Sequence, residues 1–101
     1  MISKAKILIT GANGYIGNCL FHFLKKKFKI IGVDCENHIN RDIYKINLLN
    51  VRKLDSLLSQ IKPNVIIHLA AQSLVDETIN KKKYYMNNVL VTKNLINLMK
   101  K

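Results

Sequence analysis

The chain has 101 residues, 49% of them apolar, and 17 Lys and Arg against 6 Asp and Glu give it a net charge of +11. That length makes one small domain and excludes a two-domain enzyme within these residues; such a chain buries only about 60–65% of its unfolded surface, enough to fold with little stability to spare. The longest apolar runs, Ile7-Leu8-Ile9 and Val65-Ile66-Ile67, fall far short of the ~18–20 residues needed to cross a bilayer, and residues 1–10 lack a signal-peptide pattern, so a cytoplasmic protein with no membrane partner is expected.

Lys6 to Thr10 is a short apolar run without strict alternation, stopped by Gly11, which suits a parallel strand buried on both faces. From Tyr15 to about Lys26, Ile16, Leu20, Phe23 and Leu24 recur at helical spacing, and the lysines at the tail favour the negative end of a helix dipole. Phe28 to Val33 is a second strand ending at Asp34, and residues 35–42 are polar and turn-like. Ile43 to Ile46 is a third strand. A helix follows with Asn50 as its N-cap and Val51, Leu54, Leu57, Leu58 and Ile61 on one face, closed by Pro63. Val65 to Leu69 is a fourth strand, Gln72 to Asn80 is irregular, and a last helix runs from about Lys83 with Met86, Val89, Leu90, Ile96 and Met99 on its buried face.

Strands alternating with helices at this spacing imply right-handed crossovers and a parallel sheet of order 3-2-1-4 with three helices, the N-terminal half of a doubly wound α/β Rossmann fold. The fourth strand then lies at an open edge, and Val65-Ile66-Ile67-His68-Leu69 carries no charge to blunt it, so self-association through that edge is expected.

The positive charge is spread over both halves of the chain. It reads as the Lys, Asn and Ile bias of the composition more than as a basic patch, and Lys25-Lys26-Lys27 and Lys81-Lys82-Lys83 read as solvated surfaces. A nucleic-acid partner therefore rests on charge alone, with no aromatic platform among the lysines. Cys19 and Cys35 form no C-x-x-C pair and the three histidines have no metal-ligand spacing, so reduced thiols and no metal site are expected.

Between the first strand and the first helix stands Gly11-Ala12-Asn13-Gly14-Tyr15-Ile16-Gly17, a G-x-x-G-x-x-G run. Gly11 permits a tight turn, Gly14 lets backbone N–H groups approach a pyrophosphate, and Gly17 lets helix and sheet pack closely. The phosphates would rest on the helix N-terminus, whose first N–H groups lack intrahelical partners. Asp34 closes the second strand 17 residues beyond Gly17. A carboxylate there accepts from the ribose hydroxyls and repels a 2′-phosphate, which selects NAD over NADP. The rival reading makes Asp34 only a turn residue at the strand exit.

Four segments, ILITGANGYIG from Ile7, Val33-Asp34, KPNVIIHLAA from Lys62 and YYMNNVLVT from Tyr84, resemble the NAD-dependent epimerase/dehydratase family of extended short-chain dehydrogenases/reductases. Within it, AAQSLVDET followed by YYMNNV is most similar to the UDP-glucose 4-epimerase branch, with Glu77 and Asn87-Asn88 favouring that branch over the 4,6-dehydratases. The resemblance implies that the Tyr15 and Ile16 backbone meets the pyrophosphate, that Asp34 holds the ribose, and that Asn47 and Leu48 lie at the adenine. It also implies that Leu69, Ala70 and Ala71, with Ser73 after them, pass under the cofactor and that Asn87 stands near the nicotinamide; packing or capping is the rival reading for these last positions.

The sequence departs from the family at Asp76, at Lys81 and at Val91, where the epimerases have glycine, proline and glycine. A β-branched residue at 91 would cost about 1–3 kcal/mol if its helix packs closely there. None of the four tyrosines is followed by lysine four positions on, so the family's Tyr-x-x-x-Lys pair, which handles protons during hydride transfer at the sugar C4, is not among these residues. The resemblance thus implies the NAD-binding portion of a sugar-nucleotide epimerase serving galactose metabolism, truncated and inactive alone, partnered by a missing C-terminal half or by a second copy. The alternative is a stand-alone, non-catalytic dinucleotide-binding module or partner subunit.

Overall fold

The computed structural model describes residues 4–35, 43–70, 82 and 85–100. In chain order these form β1 (Lys6–Thr10), α1 (Tyr15–Leu24), β2 (Lys29–Asp34), β3 (Ile43–Lys45), α2 (Val51–Ile61), β4 (Val65–His68), a π-helical segment (Tyr85–Leu90) and α3 (Val91–Met99). The four strands pair in parallel in the expected order β3-β2-β1-β4. Leu8 sits opposite both Ile31 and Ile66, so β1 is central and β4 forms one edge, with Val65 47% exposed.

Because successive strand residues point to opposite faces, β1 feeds two cores. Ile7 and Ile9 pack with Ile30, Ile43 and Phe21 of α1; Leu8 packs on the other face with Val33, with Leu54, Leu57 and Leu58 of α2, and with Val91 and Leu95 of α3. One helix covers one face and two cover the other. Gly32 makes the first packing possible: a Cβ there would stand 2.7 Å from the Ala12 Cβ and 2.8 Å from Ile43 Cγ1.

The helix ends have local causes. Asn50 caps α2 by accepting from the Lys53 N–H at 3.2 Å, an interaction of about 1 kcal/mol. At the other end Lys62 adopts φ 52°, Pro63 blocks continuation, and Asn64 starts β4 by accepting the Lys6 N–H at 2.8 Å. The first helix stops at Leu24, two residues earlier than its spacing suggested, because a turn over Lys25–Lys27 brings the Phe28 N–H back to the Leu24 carbonyl.

The last helix differs most from expectation. Val89, Ile96 and Met99 are 41%, 51% and 42% exposed, and the buried positions are Val91 and Leu95, with Leu98 packed against them. The π-helical turns before Val91 insert an extra residue into the helical period. The apolar stripe begun at Met86 and Leu90 is thereby rotated by one position, onto Val91, Leu95 and Leu98, where an uninterrupted α-helix would have turned Lys93 and Asn97 inward. Asp76 and Lys81 lie outside the described residues.

Candidate functional site

The turn after β1 is stitched to the end of β2. Gly11 and Ala12 donate their N–H groups to the Val33 carbonyl at 2.9 and 3.3 Å, and the Asn13 N–H donates to Asp34 Oδ2 at 3.0 Å. Gly11 stands at φ +69°, and a Cβ there would lie 2.8 Å from the Ala70 nitrogen; a Cβ on Gly17 would lie 2.2 Å from the Gly11 carbonyl oxygen. Both glycines are required by the contact of backbone on backbone. Gly14 is different: it is exposed, its φ is −70°, and a Cβ would find only the Gly11 oxygen, at 3.3 Å.

Gly14 is the N-cap residue of α1 and supplies no side-chain cap, and no acidic residue occupies the first turn. The opening N–H groups of the helix therefore face outward with the positive end of its dipole, beside Tyr15 and Ile16, which are 88% and 64% exposed. Asp34 is held to the same turn through Asn13. A carboxylate offers about four acceptor positions, so holding Asn13 and accepting from a ligand hydroxyl are compatible.

These groups open on a cavity of about 560 Å³ at the C-terminal ends of the strands. Ten of the residues singled out in the sequence line it: Gly11, Gly14, Tyr15, Ile16 and Gly17 from the turn and α1, Asp34 from β2, Asn47 and Leu48 after β3, and Leu69 and Ala70 after β4. Ala71 and Ser73 lie outside the described residues, as does the Asn87 side chain. Val33, Cys35, Ile46 and Val91 line it too; the sequence marked Val33 beside Asp34 and Val91 as a departure from the family, but neither Cys35 nor Ile46 as part of a site. Val91 both fills the core and reaches the cavity, so the residue that replaces the family's glycine is taken up by the packing of α3.

Asn47 has a local task as well. Its Oδ1 accepts the Leu49 N–H at 3.0 Å, and its carbonyl accepts the Asn50 N–H at 2.8 Å, which shapes the entry to α2. An adenine amino group would share that oxygen with Leu49. Leu48 is 7% exposed and belongs to the core as much as to the cavity.

Behind the Leu69–Ala70 wall, His68 bridges β1 and the last helix: Nδ1 is 2.6 Å from Thr10 Oγ1 and Nε2 is 3.1 Å from Thr92 Oγ1. Burial lowers its pKa from the ordinary 6.5, because desolvation disfavours the imidazolium. The unfolded chain therefore binds this proton more readily, and stability present above pH 6.5 is lost as the pH falls below it. Urea midpoints should drop between pH 7.5 and 5.5, and H68N should flatten that dependence; an unchanged slope in the variant would assign the effect elsewhere.

Among the described residues no helix is long and apolar enough to cross a membrane, and no cluster of His, Cys, Asp and Glu could hold a metal ion. Cys19 and Cys35 are both exposed and form no disulfide.

A parallel α/β sheet of order 3-2-1-4 with an uncapped helix N-terminus after β1 and a carboxylate at the tip of β2 is the first half of a Rossmann fold. The chain belongs to the NAD-dependent epimerase/dehydratase family, whose profile matches residues 7–101. It is similar to the UDP-glucose 4-epimerase of Mycoplasma genitalium, at 34% identity over 93% of this chain and 32% of the relative. It is similar also to the dTDP-D-glucose 4,6-dehydratase of Dictyostelium discoideum, at 37% identity over 94% of this chain and 26% of the relative. Among solved structures, the UDP-Glc/GlcNAc 4-epimerase of Campylobacter jejuni superimposes with a TM-score of 0.80 and 33% identity, covering 93% of this chain and 33% of that one. The chain thus spans about a third of the length of such relatives.

Proposed function

We propose that these residues form the NAD-binding portion of a sugar-nucleotide epimerase of the UDP-glucose 4-epimerase kind, working in the cytoplasm in galactose metabolism. The observation that carries the proposal is the pairing, on one glycine turn, of the outward-facing α1 N-terminus with the Asp34 carboxylate, both opening on the same cavity. NAD fits this set: the helix N-terminus takes the pyrophosphate, Asp34 takes the adenosine ribose, and Asn47 and Leu48 flank the adenine. Leu69 and Ala70, and in the same reading Ala71, Ser73 and Asn87, lie along the path to the nicotinamide. When bound, NAD supplies the hydride acceptor and donor for chemistry at the sugar C4. The proton transfers belong to a Tyr-x-x-x-Lys pair that these 101 residues do not contain, so the chain alone is proposed to bind and not to turn over. The dehydratase relative gives a second reading, a sugar-nucleotide 4,6-dehydratase, with the same cofactor half.

Calorimetric titration tests the proposal. NAD should bind in preference to NADP, and raising salt from 50 to 200 mM should weaken it less than about tenfold, whereas a nucleic-acid binder making 6–10 phosphate contacts would lose about 10³–10⁵. Binding of neither dinucleotide would remove the reading.

A further inference from the structure

The wall of the cavity contributed by the β4 exit is held by a chain of hydrogen bonds whose proton positions are determined. Thr10, the last residue of β1, is fully buried. Its Oγ1 accepts the backbone N–H groups of Leu69 at 3.0 Å and Ala70 at 3.1 Å, the former shared with the Thr10 carbonyl at 3.2 Å. A hydroxyl has two acceptor positions and one proton. With N–H groups directed at both lone pairs, the Thr10 proton goes to the remaining neighbour, His68 Nδ1, 2.6 Å away. Nδ1 is therefore an acceptor without a proton, and the imidazole proton sits on Nε2. There it meets Thr92 Oγ1 at 3.1 Å, which must accept, because the Thr92 hydroxyl donates to the Asn88 carbonyl at 2.8 Å. One tautomer satisfies the whole chain. A proton added at Nδ1 would put a third donor on Thr10 Oγ1, and the burial that disfavours imidazolium acts in the same direction.

The amides held in this way are the ones against the glycine turn, since the Ala70 nitrogen would lie 2.8 Å from any Cβ on Gly11. Moving Leu69 and Ala70 therefore moves the cavity wall and the backing of the turn together. We infer that His68 is a positioning residue for the dinucleotide site: as the neutral Nε2–H tautomer it spans Thr10 and Thr92, aims the Thr10 hydroxyl, and so fixes the Leu69 and Ala70 amides against Gly11. The consequence for affinity rests on the reading of the cavity as an NAD site; the consequence for the two amides does not.

Two substitutions in the full chain separate this role from space-filling. In H68N the side-chain oxygen falls where Nδ1 stood and still accepts from Thr10, whereas in H68Q the amide reaches Thr92 and leaves Thr10 without its acceptor. NAD dissociation constants should rise about tenfold in H68Q and less than about twofold in H68N, and hydrogen-exchange protection of the Leu69 and Ala70 amides should fall in the same order. Packing alone predicts the reverse, because Gln is nearer to His in volume than Asn is. In the wild-type chain, ¹⁵N-resolved NMR of the His68 ring should find Nδ1 bare and Nε2 protonated, a readout that stands even if both variants misfold. An Nδ1–H tautomer, equal exchange in the two variants, or greater loss in H68N would overturn the assignment. A wild-type chain that binds no NAD would remove the proposed function, while the exchange order would still decide the role of His68.

Discussion

G17A is expected to unfold or severely loosen the protein, whereas G14V is expected to leave it folded and close its cavity to a dinucleotide. The new Cβ at 17 would lie 2.2 Å from the Gly11 oxygen, 3.0 Å from the Gly11 carbonyl carbon and 3.1 Å from the Ala12 Cα, all backbone atoms. No rotamer change relieves a clash with backbone. The start of α1 must move off the turn, and with it the packing of Phe21 on Ile7 and Ile9. Overpacking of this kind costs about 1–3 kcal/mol and sometimes more, against a total of roughly 5–15 kcal/mol for a domain. We expect a loss of about 3 kcal/mol in urea denaturation. At Gly14 the backbone is already in a region open to any residue, and its nearest neighbour would be 3.3 Å from the Cβ. Stability should change by less than about 1 kcal/mol, yet NAD affinity should fall more than tenfold, because the isopropyl group occupies the approach to the helix N-terminus. Native-like NAD binding by G14V would show that the phosphate path runs elsewhere.

D34N should weaken NAD binding by about 1.5–3 kcal/mol, roughly 10- to 150-fold, and narrow the preference over NADP. The amide oxygen of Asn can still accept the Asn13 N–H that Asp34 accepts at 3.0 Å, so the turn is preserved and the charge is what is removed. D34A removes both and should lower stability as well. If D34N bound both dinucleotides as the wild type does, Asp34 would be a strand-exit cap and nothing more. Measuring both cofactors on both variants separates charge from scaffold.

The strand order was legible because each strand is a short β-branched run and the crossovers from β1 to β2 and from β3 to β4 each carry a helix of ordinary period, which leaves few topologies. The glycine turn and Asp34 were legible because a tight turn of strand into helix, with backbone packed on backbone, needs residues of fixed type at fixed spacing. Gly32 was not, since its reason is a contact with Ala12 and Ile43 that only the folded sheet creates. Nor were Cys35 and Ile46, ordinary residues just past β2 and β3 that reach the cavity because the parallel strands finish at one level. The last helix misled differently: Val89, Ile96 and Met99 read as its buried face because they are apolar residues near one stripe, whereas past the π-helical Tyr85–Leu90 segment the core takes Val91, Leu95 and Leu98. His68 resembled one more residue of an apolar strand; its partners, Thr10 and Thr92, lie 58 and 24 positions away.

The cavity takes its walls from the β1–α1 turn, the end of β2, the entry to α2, the exit of β4 and the first residue of α3. A molecule seated there touches nearly every element of the fold and so acts as a tie across both cores. By mass action, a ligand at 100 times its dissociation constant adds about 2.7 kcal/mol to the folded state. For so small a chain that is a large share of the whole, enough to change how often it opens to a protease. In the proposed reading, the survival of the chain in the cell follows the supply of dinucleotide, and the protein is spared from degradation in proportion to the cofactor it holds.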